Sequence, residues 1–194
     1  MKLFGISENF IEIYDNALPK TECEILISHF EKSQQKVPGR SGIGNNFVVD
    51  PSTKKGIELP NCQFSKQDII STLIKPALFS CLDRYKTAHP SLGYLYTWRY
   101  EDTYTFKKFE SEDDGFKRWH CEAGGLLTCP RILAWMFYLN DAKSGTEFKD
   151  HPTVRAKIGR CIIWPAAWTH THRSQIPNKG LKYIISGWVS YNAS

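Results

Sequence analysis

Residues 131–141 read Arg131-Ile132-Leu133-Ala134-Trp135-Met136-Phe137-Tyr138-Leu139-Asn140-Asp141, an apolar and aromatic run closed by an Asn-Asp turn signal. A short, aromatic-rich run of this kind, ending in turn-formers, fits a buried β-strand better than a helix. Similar runs lie on both sides, at 95–99, 103–109, 117–122, 160–164 and 183–191. Turn-formers separate them, among them Asp113-Asp114-Gly115, Gly124-Gly125, Ser144-Gly145 and Asn178-Lys179-Gly180. Many short strands with regular turns point to a sandwich or barrel.

Further upstream the texture changes. Residues 9–17 alternate apolar and polar and read as a short strand. Pro19 then introduces a helix that fades near Ser33, with Thr21 and Glu24 in the register of a capping box and Ile25, Ile27 and Phe30 on its apolar side. A second helix is expected over 66–87, where Ile69, Ile70, Leu73, Ile74, Ala77, Leu78, Cys81 and Leu82 recur at helical spacing and Pro76 should kink or split it. Helices first and strands afterwards give an α+β fold, the helices packed on one sheet of a β-sandwich.

The 194 residues suit one domain, and the 41% hydrophobic fraction with 11 Phe, 9 Tyr and 6 Trp supplies an ample core. A net charge of +5, thinly spread, lacks the basic stripe of a nucleic-acid binder. The first residues, Met1 to Glu8, carry no apolar run of the signal-peptide kind, and no stretch is apolar enough to cross a bilayer, so the expected compartment is the cytoplasm. The six cysteines are scattered without a C-x-x-C pair and are expected as free thiols.

His120-Cys121-Glu122 carries the chemistry. On a strand, residues two apart share a face, so an imidazole and a carboxylate in this register can grip one cation. A third ligand must come from elsewhere, and His170 and His172 follow downstream. Two His and one carboxylate on one face of an octahedral ion form the facial triad of non-haem iron(II) oxygenases. Taken alone, an H-x-E or a T-H-T-H tract is a weak signal.

Several motifs in order strengthen it. Trp119-His120-Cys121-Glu122, Arg131-Ile132-Leu133 leading to Tyr138-Leu139-Asn140-Asp141, and Ser144-Gly145-Thr146-Glu147-Phe148 are followed by Gly159, Ile163-Trp164-Pro165, His172, Lys182-Tyr183-Ile184 and Gly187-Trp188. From His120 onward the chain resembles the prolyl 4-hydroxylase-like branch of the Fe(II)/2-oxoglutarate-dependent oxygenases, in its small bacterial and phage form. Asn16-Ala17-Leu18-Pro19 before a helix extends the likeness to the N-terminus, while 38–100 matches loosely.

The resemblance implies a double-stranded β-helix (jelly-roll) core over 94–194, helical support over 1–90 and one oxygenase domain over 1–194. It implies iron(II) held by His120, Glu122 and His172, and 2-oxoglutarate as co-substrate, with L-ascorbate among the associated small molecules. Relatives anchor the far carboxylate of 2-oxoglutarate on an Arg or Lys about ten residues beyond the distal His. Lys182 stands in that register from His172, whereas the same count from His170 falls on Gly180. His170 is then left to orient a ligand or to lie on the surface. Tyr138 matches a position whose phenol hydrogen-bonds the same carboxylate in some relatives, with a role as a core aromatic the alternative. Arg131 falls near the mouth of the site or in a structural salt bridge. Two departures stand out: Glu122 occupies a position that is Asp in most relatives, and Phe109 falls near one that is Tyr in some.

The implied reaction is hydroxylation of a C–H bond, of a prolyl residue in a peptide or protein first of all, with release of succinate and CO2. A small-molecule substrate, a nucleic-acid dealkylase on the same scaffold and a non-catalytic binding module are the rivals. Trp98, Trp119, Trp135 and Trp168 are candidates for a peptide groove or for the core. The breaker-rich stretch 38–61 is the candidate lid.

Overall fold

A computed structural model describes residues 9–43, 46–95 and 97–191. The 1–8 stretch read for a leader, Gly44 of the candidate lid and Tyr96 of the 95–99 run lie outside the described residues. The elements are β1 (Glu12–Tyr14), α1 (Lys20–Lys32), β2 (Val37–Pro38), β3 (Ser41–Ile43), β4 (Asn46–Val48), β5 (Lys54–Lys55), β6 (Ile57–Gln63), α2 (Ile69–Ala88) and β7 (Trp98–Phe109). There follow β8 (Gly115–Phe116), β9 (Arg131–Tyr138), β10 (Gly145–Phe148), β11 (Val154–Arg155), β12 (Arg160–Pro165), β13 (His172–Ser174) and β14 (Lys182–Tyr191). Mostly antiparallel strands with two helices make the fold α+β.

The large sheet has the order β1-β12-β9-β14-β7-β6-β2, and the small one β11-β10-β13. β8 pairs with β5 and lies beside β13, held there by the Phe116 N–H to Ser174 Oγ bond (2.9 Å), and the chain after it forms an isolated bridge between His120 and His172. The eight strands β7–β14 thus form a jelly roll, with β12-β9-β14-β7 facing β11-β10-β13-β8.

Strand alternation divides the interior into two cores. Tyr183, Ile185 and Val189 of β14, Tyr104 and Phe106 of β7, and Trp135 and Phe137 of β9 face the helices. There they meet Leu26 and Phe30 of α1 and Ile70, Ile74, Leu78, Leu82 and Tyr85 of α2. The intervening residues face the other way: Ile184, Phe109, Tyr138, Ala134, Ile162 and Trp164 pack with Phe148 and Val154 between the two sheets. The first core fixes the helices; the second surrounds the candidate site.

Several sequence expectations change in detail. The 9–17 strand shortens to β1, paired with β12. The capping box at Thr21 and Glu24 does not form: Pro19 is the N-cap of α1, without a side-chain cap bond, and Thr21 lies inside the helix. Proline at the boundary needs no N–H partner, so the fixed φ of its ring starts the helix unaided. α2 begins later than expected, capped by the Asp68 side chain accepting from the Ser71 N–H. It runs unbroken through Pro76, held by its apolar face on the sheet. Trp98 and Arg99 of the first run and all of 103–109 belong to the single strand β7. The 117–122 run is not a strand beyond the bridge at His120, and Glu122 sits in a turn. Much of the described part of 38–61 is built into the fold: β6 joins β7 in the large sheet and β5 pairs with β8, while β3 and β4 pair with each other.

Gly187 illustrates how closely the first core is packed. A Cβ there would lie 2.4 Å from Cζ2 of Trp135, which is wholly buried. Gly187→Ala is therefore expected to destabilise the fold by about 1–3 kcal/mol through overpacking. Chemical denaturation of the two proteins measures this, and equal midpoints would contradict the packing described.

Candidate metal centre

His120 and His172 are neighbours because their backbones bond reciprocally, His120 N–H to His172 O at 3.0 Å and His172 N–H to His120 O at 2.8 Å. The imidazoles are consequently side by side, with ring centroids 4.4 Å apart. Glu122 arrives from the turn that follows, which the Ala123 N–H to Ala166 O bond (2.9 Å) ties to the end of β12. Its side chain reaches back so that Oε1 lies 3.3 Å from His172 Nε2 and 3.7 Å from His120 Nε2. One ligand atom from each of the three lies within 4.8 Å of the others. The strand geometry expected for H-x-E is absent; a turn and the extra methylene of Glu122 achieve the convergence instead.

Each ring is oriented from behind. His120 Nδ1 is 3.0 Å from the Arg118 carbonyl, and His172 Nδ1 is 2.9 Å from the His170 carbonyl. A carbonyl oxygen can only accept, so each Nδ1 carries a proton, and Nε2 is the ring atom left to face the centre. Glu122 is divided in the same way. Its Oε2 accepts the Trp188 indole N–H at 2.6 Å and lies 3.8 Å from Arg131 Nη1, leaving Oε1 to face the imidazoles. Although burial opposes its charge, the two imidazoles hold the Glu122 carboxyl well below the usual carboxylate range. With both Nε2 atoms unprotonated, three lone pairs would aim at one point and repel unless a cation lay among them. Two nitrogens and one carboxylate oxygen suit a divalent transition metal with open positions.

Arg131 is a structural ion pair and a neighbour of the site at once. It bonds Glu101 in two places, at 2.9 and 3.2 Å, while its guanidinium stacks 3.7 Å over the Trp188 ring. Phe116 stacks on His120 at 3.8 Å, and Phe148 and Trp164 wall His172. Apolar walls lower the local dielectric and strengthen every charge interaction within.

Lys182 lies in the inner core at 2% exposure. Its Nζ has two long contacts, 3.4 Å to Ser144 Oγ and 3.4 Å to the Gly145 carbonyl, and stands 5.4 Å over the Phe109 ring. No charge offsets its burial, which pushes the ammonium down to about 8. A buried cation supported only by neutral groups is ready to accept an anion. Phe109 contributes a ring face here rather than a hydroxyl. Tyr138 is wholly buried a short way off, its phenol 2.6 Å from Thr146 Oγ1. That bond joins the two sheets, and the phenol makes no contact with Lys182 among the bonds described.

His170 does not join the triad. Its Nε2 bonds the Asn9 carbonyl at 2.7 Å and its ring stacks on His151; burial lowers its pKa. It acts on the site through its backbone carbonyl alone. Of the tryptophans, Trp135 is buried in the helix-side core and Trp98 packs against that core, so neither lines a groove. Trp119 and Trp168 are 40% and 78% exposed, and Arg173 covers the face of Trp119 at 4.4 Å. The orienting roles of Trp188, Ser144 and the Arg118 carbonyl were not legible in the sequence. Trp188 and Ser144 left a trace, as members of matching motifs without an assigned role.

No family model matches the sequence, and no curated protein sequence does. Solved structures do match in shape. A prolyl hydroxylase from Trichoplax adhaerens, in complex with a hypoxia inducible factor oxygen degradation domain peptide fragment, superposes with a TM-score of 0.72 at 15% identity, over 94% of this chain and 84% of that one. The viral collagen prolyl hydroxylase of Paramecium Bursaria Chlorella virus-1, in a 2OG complex, gives 0.60 at 15%, over 97% and 99%. The non-heme alpha ketoglutarate dependent epimerase SnoN from nogalamycin biosynthesis gives 0.60 at 14%, over 94% and 78%. At these identities the likeness is one of fold, and in fold the resemblance read from the motifs is met.

The uncompensated Lys182 has a measurable cost. Its ammonium titrates near 8 in the folded chain against an ordinary 10.5, so the unfolded chain binds more protons between those values and the fold gains stability as pH rises through them. Lys182→Met is expected to raise the stability of the ligand-free protein at pH 7 by about 1–3 kcal/mol. It should also flatten the stability rise between pH 8 and 10.5. Thermal melts across that range test it; a less stable variant would show that Lys182 has a partner.

Proposed function

We propose that this chain is an iron(II)- and 2-oxoglutarate-dependent oxygenase that hydroxylates a C–H bond, of a prolyl residue in a peptide or protein in the first instance. The observation that carries the reading is the pairing of two unmet demands in one jelly-roll interior. Three metal-type lone pairs converge at His120, Glu122 and His172, and an ammonium without an anion stands at Lys182. A metal alone answers the first; a dicarboxylate that also chelates the metal answers both.

The donor set fits iron(II), with His120 and His172 as nitrogen ligands and Glu122 as the oxygen ligand. When bound, the metal and 2-oxoglutarate supply dioxygen activation and C–H hydroxylation, releasing succinate and CO2. The protein's part is positioning. The carbonyls of Arg118 and His170 fix the rings, and Trp188 with Arg131 fixes Glu122. Lys182 holds the far carboxylate of 2-oxoglutarate, with Ser144 beside it. Tyr138 is the lesser candidate for that carboxylate, since its hydroxyl is already engaged by Thr146. Phe116, Phe148 and Trp164 keep water from the ligands.

For the substrate, the support is the prolyl hydroxylases among the structures of similar shape and the exposed apolar side chains near the centre. Leu126 and Leu127, in the turn after Glu122, are 93% and 67% exposed, and Trp119 and Trp168 flank the ligands in sequence. The lid role proposed for 38–61 is best supported at β3 and β4, which among its described strands pair only with each other.

Anaerobic titration with iron(II) and 2-oxoglutarate is the decisive measurement. A weak visible charge-transfer band is expected only when both are present, and it is lost in His120→Ala and His172→Ala. Lys182→Met weakens 2-oxoglutarate binding at least about tenfold, the worth of a hydrogen bond to a charged group. With L-ascorbate and air, slow succinate release should follow without added substrate. Because the ammonium titrates near 8, affinity for 2-oxoglutarate should fall as pH rises beyond that value. Metal binding that survives loss of both histidines, or 2-oxoglutarate binding indifferent to Lys182, would refute the proposal.

A further inference from the structure

Lys107 presents a second cation to the same interior. It stands opposite Ile184 on β14, and Thr105 stands opposite Ser186. Directly opposed residues of an antiparallel pair share a face, and Ile184 and Phe109 belong to the inner core. Lys107, Thr105 and Ser186 therefore face the space between the sheets. Lys182 stands opposite Phe109, one two-residue repeat from Lys107, about 7 Å along the strands.

Its partners neutralise it only in part: Glu58 of β6 stands opposite Lys107 in register but is already engaged by Lys54 and Arg40. Among the described residues, Lys107 Nζ donates to Ser186 Oγ at 3.3 Å, and that hydroxyl is itself 2.9 Å from Thr105 Oγ1. The nearby lysines differ. Lys54 is paired with Glu58 at 2.5 Å and bonds the Arg40 carbonyl at 2.8 Å. Lys108, next in the chain but on the helix side, is paired with Glu31 at 2.8 Å and Glu110 at 2.6 Å. Burial pushes the Lys107 ammonium down to about 7, and it feels the charges of Lys54, Glu58 and the metal-ligand candidate Glu122. The residue keeps part of its surface accessible, so an anion can reach it.

Charge counting shows what is missing. On the reading proposed above, a divalent metal and Lys182 are balanced by Glu122 and the two carboxylates of 2-oxoglutarate. Lys107 is then left over, positive, in a low-dielectric space beside the reacting centre. An uncompensated charge there strongly favours a ligand of opposite sign.

We infer that Lys107, with Ser186 and Thr105, forms an anion subsite distinct from that of Lys182 and holds a carboxylate of the substrate. The inference rests on the oxygenase reading and adds to it: the molecule oxidised is an acid near the carbon attacked. That carboxylate belongs to a chain terminus or to an acidic side chain beside the target residue.

Protein loaded with Mn(II) and 2-oxoglutarate under nitrogen tests this by calorimetry with two probe pairs. N-acetyl-proline against its amide represents a terminal carboxylate, and a proline tripeptide with Asp against the same with Asn represents a side chain. At least one acid is expected to bind about tenfold or more tightly than its neutral counterpart, and which pair shows it identifies the source. Lys107→Met should erase the preference, Lys107→Arg should keep most of it, and both should bind 2-oxoglutarate within about twofold of wild type. Lys107→Gln repeats the test if methionine disturbs the packing. Two results would overturn the inference: no acid preference in the loaded wild type, or a tenfold loss of 2-oxoglutarate affinity in Lys107→Met, which would assign Lys107 to the co-substrate. A wild type that takes up neither Mn(II) nor 2-oxoglutarate would instead overturn the oxygenase reading itself.

Discussion

Two backbone hydrogen bonds between His120 and His172 set the terms for the rest of the site. They join residues far apart in the chain and place both imidazoles at one end of the small sheet. The interior is then obliged to manage lone pairs and charge. Carbonyls behind the rings settle their tautomers, Trp188 occupies one oxygen of Glu122, and apolar rings shut out water that would otherwise compete. Each of these is a small interaction. Their joint effect is an interior in which metal-type ligand atoms converge at one place and a lysine ammonium is buried without a counter-charge at another.

That arrangement runs against stability. Packing Lys182 and Lys107 inward costs free energy that a methionine in the same place would not. The fold tolerates them because the helix-side core is built without such compromise. Phe30, Phe106, Trp135, Ile185 and their neighbours pack α1 and α2 against the large sheet with wholly buried side chains. One side of the sheet thus carries the fold and the other carries the chemistry.

The sequence was legible to about this level. The β-rich run 183–191 announced β14, and the resemblance carried by Arg131 to Asp141 and the motifs around Gly145 and Pro165 implied the jelly roll. His120, Glu122 and His172 stood out because few side chains hold metals and their order matched a known pattern. Less visible were features set by tertiary contacts. Nothing local said that Glu122 would leave the strand and reach back from a turn. Thr21 looked like a cap because of Glu24, but Pro19 already fixed the start of α1. The 38–61 stretch read as a loop since its glycines and prolines hide the short pairings of β5 and β6, which exist only through β8 and β7. Lys107 was obscured by Lys108. As a basic pair the two look like one patch of surface charge, although consecutive residues on a strand face opposite ways.

β7 has a consequence for how such a protein changes over generations. Its even-numbered positions Tyr104 and Phe106 belong to the scaffold, and its odd-numbered positions Thr105, Lys107 and Phe109 to the cavity. The two sets share one backbone but almost no neighbours, so a replacement in one leaves the other nearly undisturbed. The inner face can drift while architecture stays put, and a lineage built on this strand is free to exchange one inward-facing side chain for another, a single codon at a time.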